Sequence, residues 1–198
     1  MAHDHAHEHD HDHDHEHSEE LEQAQAEARR RHALAQIRQY PDVALRLAAK
    51  ELEPADFDDD LRRLVERMER LMRDAQGIGL AATQVGVLRR VIVFAPEQED
   101  VHAVVNPKIV DRSRSVETEE EGCLSLQGVR VPVERAARVT LEGLDLDGNP
   151  VRYELEEMGA RVAQHEADHL DGVLFFDRMK GFDSLTFLEE YSRYHARD

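Results

Sequence analysis

A chain of 198 residues suits one domain of ordinary size plus an appendage, enough to bury a real core. The net charge is −18; the first twenty residues hold eight acids and no lysine or arginine, which leaves −10 on the other 178. Such acidity argues against a dedicated binder of nucleic acid or anionic membrane, so no direct nucleic-acid contact and no membrane partner are expected. The basic run Arg29-Arg30-Arg31 is a candidate local contact, with a solvated helix face as the favoured reading. A single cysteine, Cys123, allows no internal disulfide and suits a reducing compartment. No apolar run approaches the roughly 18 residues of a membrane span, and the amino terminus lacks a signal peptide's basic start and apolar stretch. A cytoplasmic protein is expected.

In chain order, residues 3–17 place histidine at every odd position, with Asp, Glu or Ala between. Eight imidazoles interleaved with carboxylates cannot build a core but can chelate divalent transition metals. Residues 1–17 therefore read as a disordered metal-chelating tail, with an expression tag or a solubilising tail as alternative readings. Residues 18–33, rich in Glu, Gln, Ala and Arg, read as an exposed helical linker. Tyr40-Pro41-Asp42 breaks the chain before a short apolar-periodic piece carrying Val43, Leu45, Leu47 and Ala48. Pro54 and the acids Asp56, Asp58, Asp59 and Asp60 open a helix whose Leu61, Leu64, Val65, Met68, Leu71 and Met72 share one buried face. Gly77 ends it.

Gly77-Ile78-Gly79-Leu80-Ala81-Ala82-Thr83-Gln84 follows, read as a helix stop and a turn into a strand, or as backbone a ligand approaches closely. Strands are predicted at 91–94 and 101–105, the second closed by Asn106-Pro107, and again at 128–133, 138–144 and 151–155. The turn Asp147-Gly148-Asn149-Pro150 joins the last two. A helix runs from near Met158 to Asp171-Gly172, and 174–176 is a short apolar strand or core segment. Asp183-Ser184 is expected to cap a last helix with Leu185, Leu188 and Tyr191 inward. Strands without regular βαβ alternation give an α+β fold.

The chemistry concentrates in Gln164-His165-Glu166-Ala167-Asp168-His169-Leu170-Asp171-Gly172. On a helix His165 and His169, four apart, grip one ion, and Glu166 reaches a water beside it; this is the H-E-x-x-H pattern. A catalytic metal needs a third ligand and one open position. The candidate is Cys123, in Glu121-Gly122-Cys123-Leu124-Ser125, although a lone cysteine is also read as a small buried apolar group. One thiolate with two imidazoles suits Fe²⁺ or Zn²⁺ rather than Mg²⁺ or Ca²⁺.

Together, the glycine-rich motif, the Cys123 motif and the His165 motif, in this order and spacing, resemble the peptide deformylases of bacteria. Weaker similarity runs from about Ile37 to Phe182, and residues 1–33 lie outside it. The resemblance implies an α+β fold: antiparallel or mixed β-sheets packed around a central helix carrying the metal motif, with a long N-terminal helix and a C-terminal helix. Residues 34–198 would form the catalytic domain. It implies removal of the formyl group from the formyl-methionine of nascent polypeptides, with formate released. Cys123, His165 and His169 would hold one divalent ion, Fe²⁺ by family habit, with Zn²⁺ or Ni²⁺ able to replace it. Metal-bound water would attack the formyl carbon with Glu166 as general base and then acid. The side chain of Gln84 and the backbone N–H of Leu124 would hold the oxyanion. Ile78 and Gly79 would offer backbone groups to the peptide, and Arg130 matches a position near the substrate, though it also reads as a surface strand arginine. An apolar pocket lined partly by Val162 would take the methionine, and the ribosome is a further partner the family suggests. Gln127 departs from the family's usual proline, which softens the loop beside Cys123. Two rival readings are an H-E-x-x-H peptidase cleaving internal amides and a metal-storage or delivery protein built on the tail.

Overall fold

The computed structural model describes residues 10–96 and 100–195, and side chains from Glu20 to Tyr194 within them. Two antiparallel sheets flank one buried helix. The strands β1 (Gly79–Ala81), β2 (Val91–Phe94), β3 (His102–Arg112), β6 (Arg138–Leu144) and β7 (Pro150–Glu156) form the larger sheet, in the order β1-β2-β3-β6-β7. The strands β4 (Val116–Cys123), β5 (Leu126–Ala136) and β8 (Thr186–Phe187) form the smaller one, in the order β4-β5-β8. The metal-motif helix, α3 (Glu157–Leu170), touches strands of both sheets. Its Ala160, Val162, Ala163 and Leu170 pack against Ile92, Phe94 and Leu141 of the larger sheet, so the motif is fixed by burial on both sides.

Helix α2 (Asp59–Asp74) starts where its chemistry demands: the Asp58 side chain accepts the Leu61 N–H at 2.9 Å, and Asp59 and Asp60 sit in the positive first turn. Its predicted apolar face is buried at Leu61, Val65, Met68, Leu71 and Met72. Against that face packs the end of α1 (Asp10–Leu34), through Ala33, Leu34 and the following Ile37. The sequence predicts unstructured chain through residue 17, yet α1 is continuous from Asp10. Once the last turn is docked, each further residue adds one hydrogen bond to an existing helix, which favours propagation back along the chain. Residues 1–9 of the histidine-rich stretch lie outside the described residues.

Three other differences have local causes. Strand β3 runs through Asn106-Pro107 to Arg112, because its register shifts between Val105 and Lys108 and absorbs the proline. Asn106 takes φ 51, a conformation asparagine tolerates, and its side chain bridges the Leu52 N–H and C=O at 2.8 and 2.9 Å. Strand β4 was hidden by its exposed, acid-rich Glu117 to Glu120, which lack any apolar alternation. At the carboxyl end, residues 182–184 make a 3₁₀ turn, β8 pairs with β5, and α4 (Leu188–His195) starts only afterwards. Leu185 packs on the β5 cluster as expected, but Leu188 and Tyr191 are exposed rather than inward. Residues 174–176 are core, with Phe175 buried in a 3₁₀ turn.

Candidate metal and catalytic site

The spacing of four on α3 sets the His165 and His169 rings side by side, centroids 5.0 Å apart. Cys123 arrives from β4, where a register shift between Glu121 and Cys123 bends the strand and re-aims the thiol. Its Sγ lies 3.2 Å from His169 Nε2, and ligand atoms of Cys123, His165 and His169 all fall within 4.8 Å of one another.

Glu121 orders this cluster from behind. Its buried carboxylate pairs with Arg135 Nε and Nη2, each at 2.9 Å, with Arg161 Nη1 at 2.8 Å and with His165 Nδ1 at 3.0 Å. Burial alone would raise the Glu121 carboxyl, but hydrogen bonds from Arg135 and His165 overcome it and hold the group at about 2. A carboxylate on Nδ1 makes that nitrogen the donor and leaves Nε2 as the atom available to an ion. Arg135 also binds Asp168 at 2.5 Å, and Asp168 in turn binds Arg178, so a residue inside the H-E-x-x-H motif ties α3 to β5.

The donor set fits a transition-metal ion. Burial works against charge on His165, yet Cys123 and Glu121 hold its proton affinity well above the ordinary value. Burial, and then the His165 charge, push His169 well below it. One sulfur and two imidazoles converging within 4.8 Å are a ligand set that suits such an ion and leaves a further position open to water.

Glu166 faces the same space. It is buried, and its Oε2 has no hydrogen-bond partner among the described residues. Burial raises its carboxyl to about 7, where it can take and return a proton near neutral pH. Gly79 makes room for it: a Cβ there would overlap the Glu166 carboxylate and come within 2.8 Å of Val162 Cγ1. Gln84 is fixed by the Ala81 N–H, which donates to its Oε1 at 2.8 Å. This turns Nε2 toward Ser125 Oγ (3.1 Å) and Cys123 Sγ (3.5 Å), where its N–H groups face the cluster.

A cavity of about 630 Å³ opens over the cluster, and Ile78, Gly79, Leu124, Arg130 and Val162 line it with Gln84 and Glu166. Of the ligands expected from the sequence, Cys123 and His165 also line this cavity, whereas His169 is buried beneath its wall and meets them only through the cluster. Ile78 lines the cavity, but its carbonyl accepts the Ala95 N–H at 2.8 Å and is engaged within the sheet. Gly79, next along β1, alternates toward the free edge. The exposed Arg130 lies over Gly122, where a Cβ would stand 3.0 Å from the guanidinium carbon. The expected apolar pocket has Val162, Ile78 and Met158, but Arg161 joins its wall. Sequence reasoning assigned no role to Glu121, Arg135, Arg161 or Asp168. Arg161, four residues before His165, and Glu121, two before Cys123, carried a positional signal; Arg135 carried none, since only strand pairing brings it in.

The family model described as polypeptide deformylase matches residues 34–184. A peptide deformylase from Alkalilimnicola ehrlichii is 47% identical over 148 residues, spanning 73% of this chain and 82% of its own length. Among solved structures, peptide deformylase from Thermotoga maritima is similar at a TM-score of 0.70 and 41% identity, covering 73% of this chain and 97% of that one. A Met-Ala-Ser bound class I type b peptide deformylase from Acinetobacter baumannii gives 0.69 at 33% identity, over 72% of this chain and 96% of its own.

Proposed function

The chain belongs to the polypeptide deformylase family, metal-dependent hydrolases that remove the N-formyl group from nascent peptides, and from that premise we propose the role of each residue in its site. Cys123, His165 and His169 hold one divalent ion. When bound, the ion supplies Lewis acidity: it polarises a carbonyl and makes water acidic near neutral pH. The observation that carries the reading is the buried Glu166 carboxylate, which lines the cavity next to Cys123 and His165 and whose Oε2 has no hydrogen-bond partner among the described residues.

Hydrolysis joins a water oxygen to the formyl carbon, breaks its bond to nitrogen and releases formate. Glu166 takes the proton from the attacking water and gives it to the departing amine. The Nε2 of Gln84 and the backbone N–H of Leu124 receive the charge that develops on the formyl oxygen, and losing one such donor costs about 10²- to 10³-fold in turnover. Among the described residues strand β1 pairs with β2 alone, so its other edge can accept a peptide as an added strand through Gly79. A relative binds Met-Ala-Ser, the deformylated form of a formylated tripeptide, and the same class of substrate is assigned to this chain.

The donor set accepts Fe²⁺, Zn²⁺ and Ni²⁺ alike; the family resemblance favours Fe²⁺. Replacing the thiolate with a harder oxygen is the test. Cys123→Ser should weaken binding of Zn²⁺ and Ni²⁺ by at least about tenfold, read by chelator competition. Unchanged affinity would remove Cys123 from the ligand set. Among the described residues no helix is long and apolar enough to cross a membrane, and work on nascent chains assigns the protein to the cytoplasm.

The histidine-rich residues 3–17 are assigned as a metal store for this site, because α1, which begins at Asp10, docks on the catalytic unit through Ala33 and Leu34 and so tethers the sequence before it. Deleting residues 1–17 should reduce the Ni²⁺ bound per chain from several ions to one, with turnover at saturating metal unchanged. One ion bound by both forms would contradict the assignment.

A further inference from the structure

The cavity continues past the residues the reaction needs. From Glu166 and Gly79 it extends along Gly77 and Gln76 to Glu27 and Arg30 of α1. These two precede residue 34, where the family match begins, so this chain adds a wall of its own to the cleft. The helix is positioned to serve as one: Ala33 and Leu34 are buried against α2, Ala26 and Arg30 are half-buried, and Glu27 is exposed. Among the described residues, neither the Glu27 nor the Arg30 side chain has a hydrogen-bond or ion-pair partner. Arg30 thus lines the cleft half-buried, with its charge unpaired among the described residues.

A peptide laid along the free edge of β1 begins at Glu166 and runs antiparallel to the strand, toward Gln76. An extended chain advances about 3.3 Å per residue, so its third residue lies about 7 Å beyond the first, on the α1 side. We propose that Glu27 and Arg30 form a subsite for the residues that follow formyl-methionine, with Arg30 binding a carboxylate on the third residue. This rests on the deformylase reading and adds sequence selectivity to it. The bidentate fork of arginine suits a carboxylate, and the neighbouring Glu27 disfavours a second acid beside it. The acid of a nascent chain is a side chain, since its own carboxyl end is still esterified during synthesis.

The test compares full-length protein and Arg30→Glu, both metal-loaded, on formyl-Met-Ala-NH₂, formyl-Met-Ala-Glu-NH₂ and formyl-Met-Ala-Lys-NH₂. Arg30→Glu should raise KM for the glutamate peptide about three- to five-fold, the size of one partly exposed charge pair, and lower it for the lysine peptide. Its kcat should be unchanged, and the dipeptide amide should be indifferent to the substitution. Formyl-Met-Ala-Ser with a free carboxyl end, set against its amide, separates the two sources of carboxylate: an effect confined to the free acid overturns the side-chain assignment. Equal KM changes on all peptides, the dipeptide included, would reduce α1 to a structural support and overturn the subsite, as would no change at all. Wild-type protein that turns over none of the peptides overturns the deformylase reading itself, and the subsite with it.

Discussion

Glu166→Ala is expected to retain its metal and lose about 10²- to 10⁴-fold in kcat, the range a positioned general acid–base contributes. The reason is local. Glu166 is neither a ligand nor part of the Glu121 network, so its removal leaves Cys123, His165 and His169 with all their hydrogen-bonded supports. What disappears is the buried carboxylate proposed to take the proton of the attacking water. Glu166→Gln keeps the shape without the proton affinity and should be nearly as poor. Because burial raises the carboxyl to about 7, the group is protonated and useless as a base at lower pH. A divalent ion beside it favours the charged form, which moves the acid limb of kcat/KM below about 7. Formate release measured with metal content in the same samples checks this; a metal-loaded Glu166→Ala with near-normal kcat would take the base role away from it.

Glu121→Ala should produce the largest loss of stability. Its carboxylate is almost fully buried and meets Arg135, Arg161 and His165 at once. Removing one partner of a buried ion pair leaves the remaining charges desolvated and unpaired, at a cost of about 3–5 kcal/mol. For a chain of this length that is a fall in Tm on the order of 10 °C. The pH dependence has a definite sign. The folded carboxyl is held at about 2, below its ordinary 4.5, so its contribution is complete above 4.5 and is lost as the pH falls from there toward 2. Glu121→Ala lacks that contribution at every pH, so the gap between the two proteins should narrow over this window. His165 also loses the partner that orients its ring, which should weaken metal affinity about 10- to 100-fold. Thermal melting at pH 7 with a Ni²⁺ titration reads both effects, and a variant as stable as the parent with undiminished affinity would refute the network's role.

The two histidines of the candidate cluster were legible because their spacing is chemistry. Four residues on a helix put His165 and His169 on one face whatever surrounds them, and strands such as 138–144 announced themselves through apolar alternation. The Glu121–Arg135–Asp168 chain was not legible, since Arg135 belongs to it only through the pairing of Glu121 with Val131 and Arg135 with Glu117 across β4 and β5. Strand β4 escaped for a related reason: a strand with exposed acids on both faces over 117–120 has no pattern to read. The wall built by α1 was also invisible. The Arg29-Arg30-Arg31 run reads as solvated surface until Ala33 and Leu34 dock on α2 and turn Arg30 to the cleft.

The central claim is that Cys123, His165 and His169 hold one divalent ion with which Glu166 deformylates a formyl-methionine peptide. Formate release from formyl-Met-Ala-Ser by protein purified without air and lacking residues 1–17, titrated with Fe²⁺, tests it most directly. Turnover should rise linearly and reach its plateau at one ion per chain. Full loading of that site with no formate released would contradict the account.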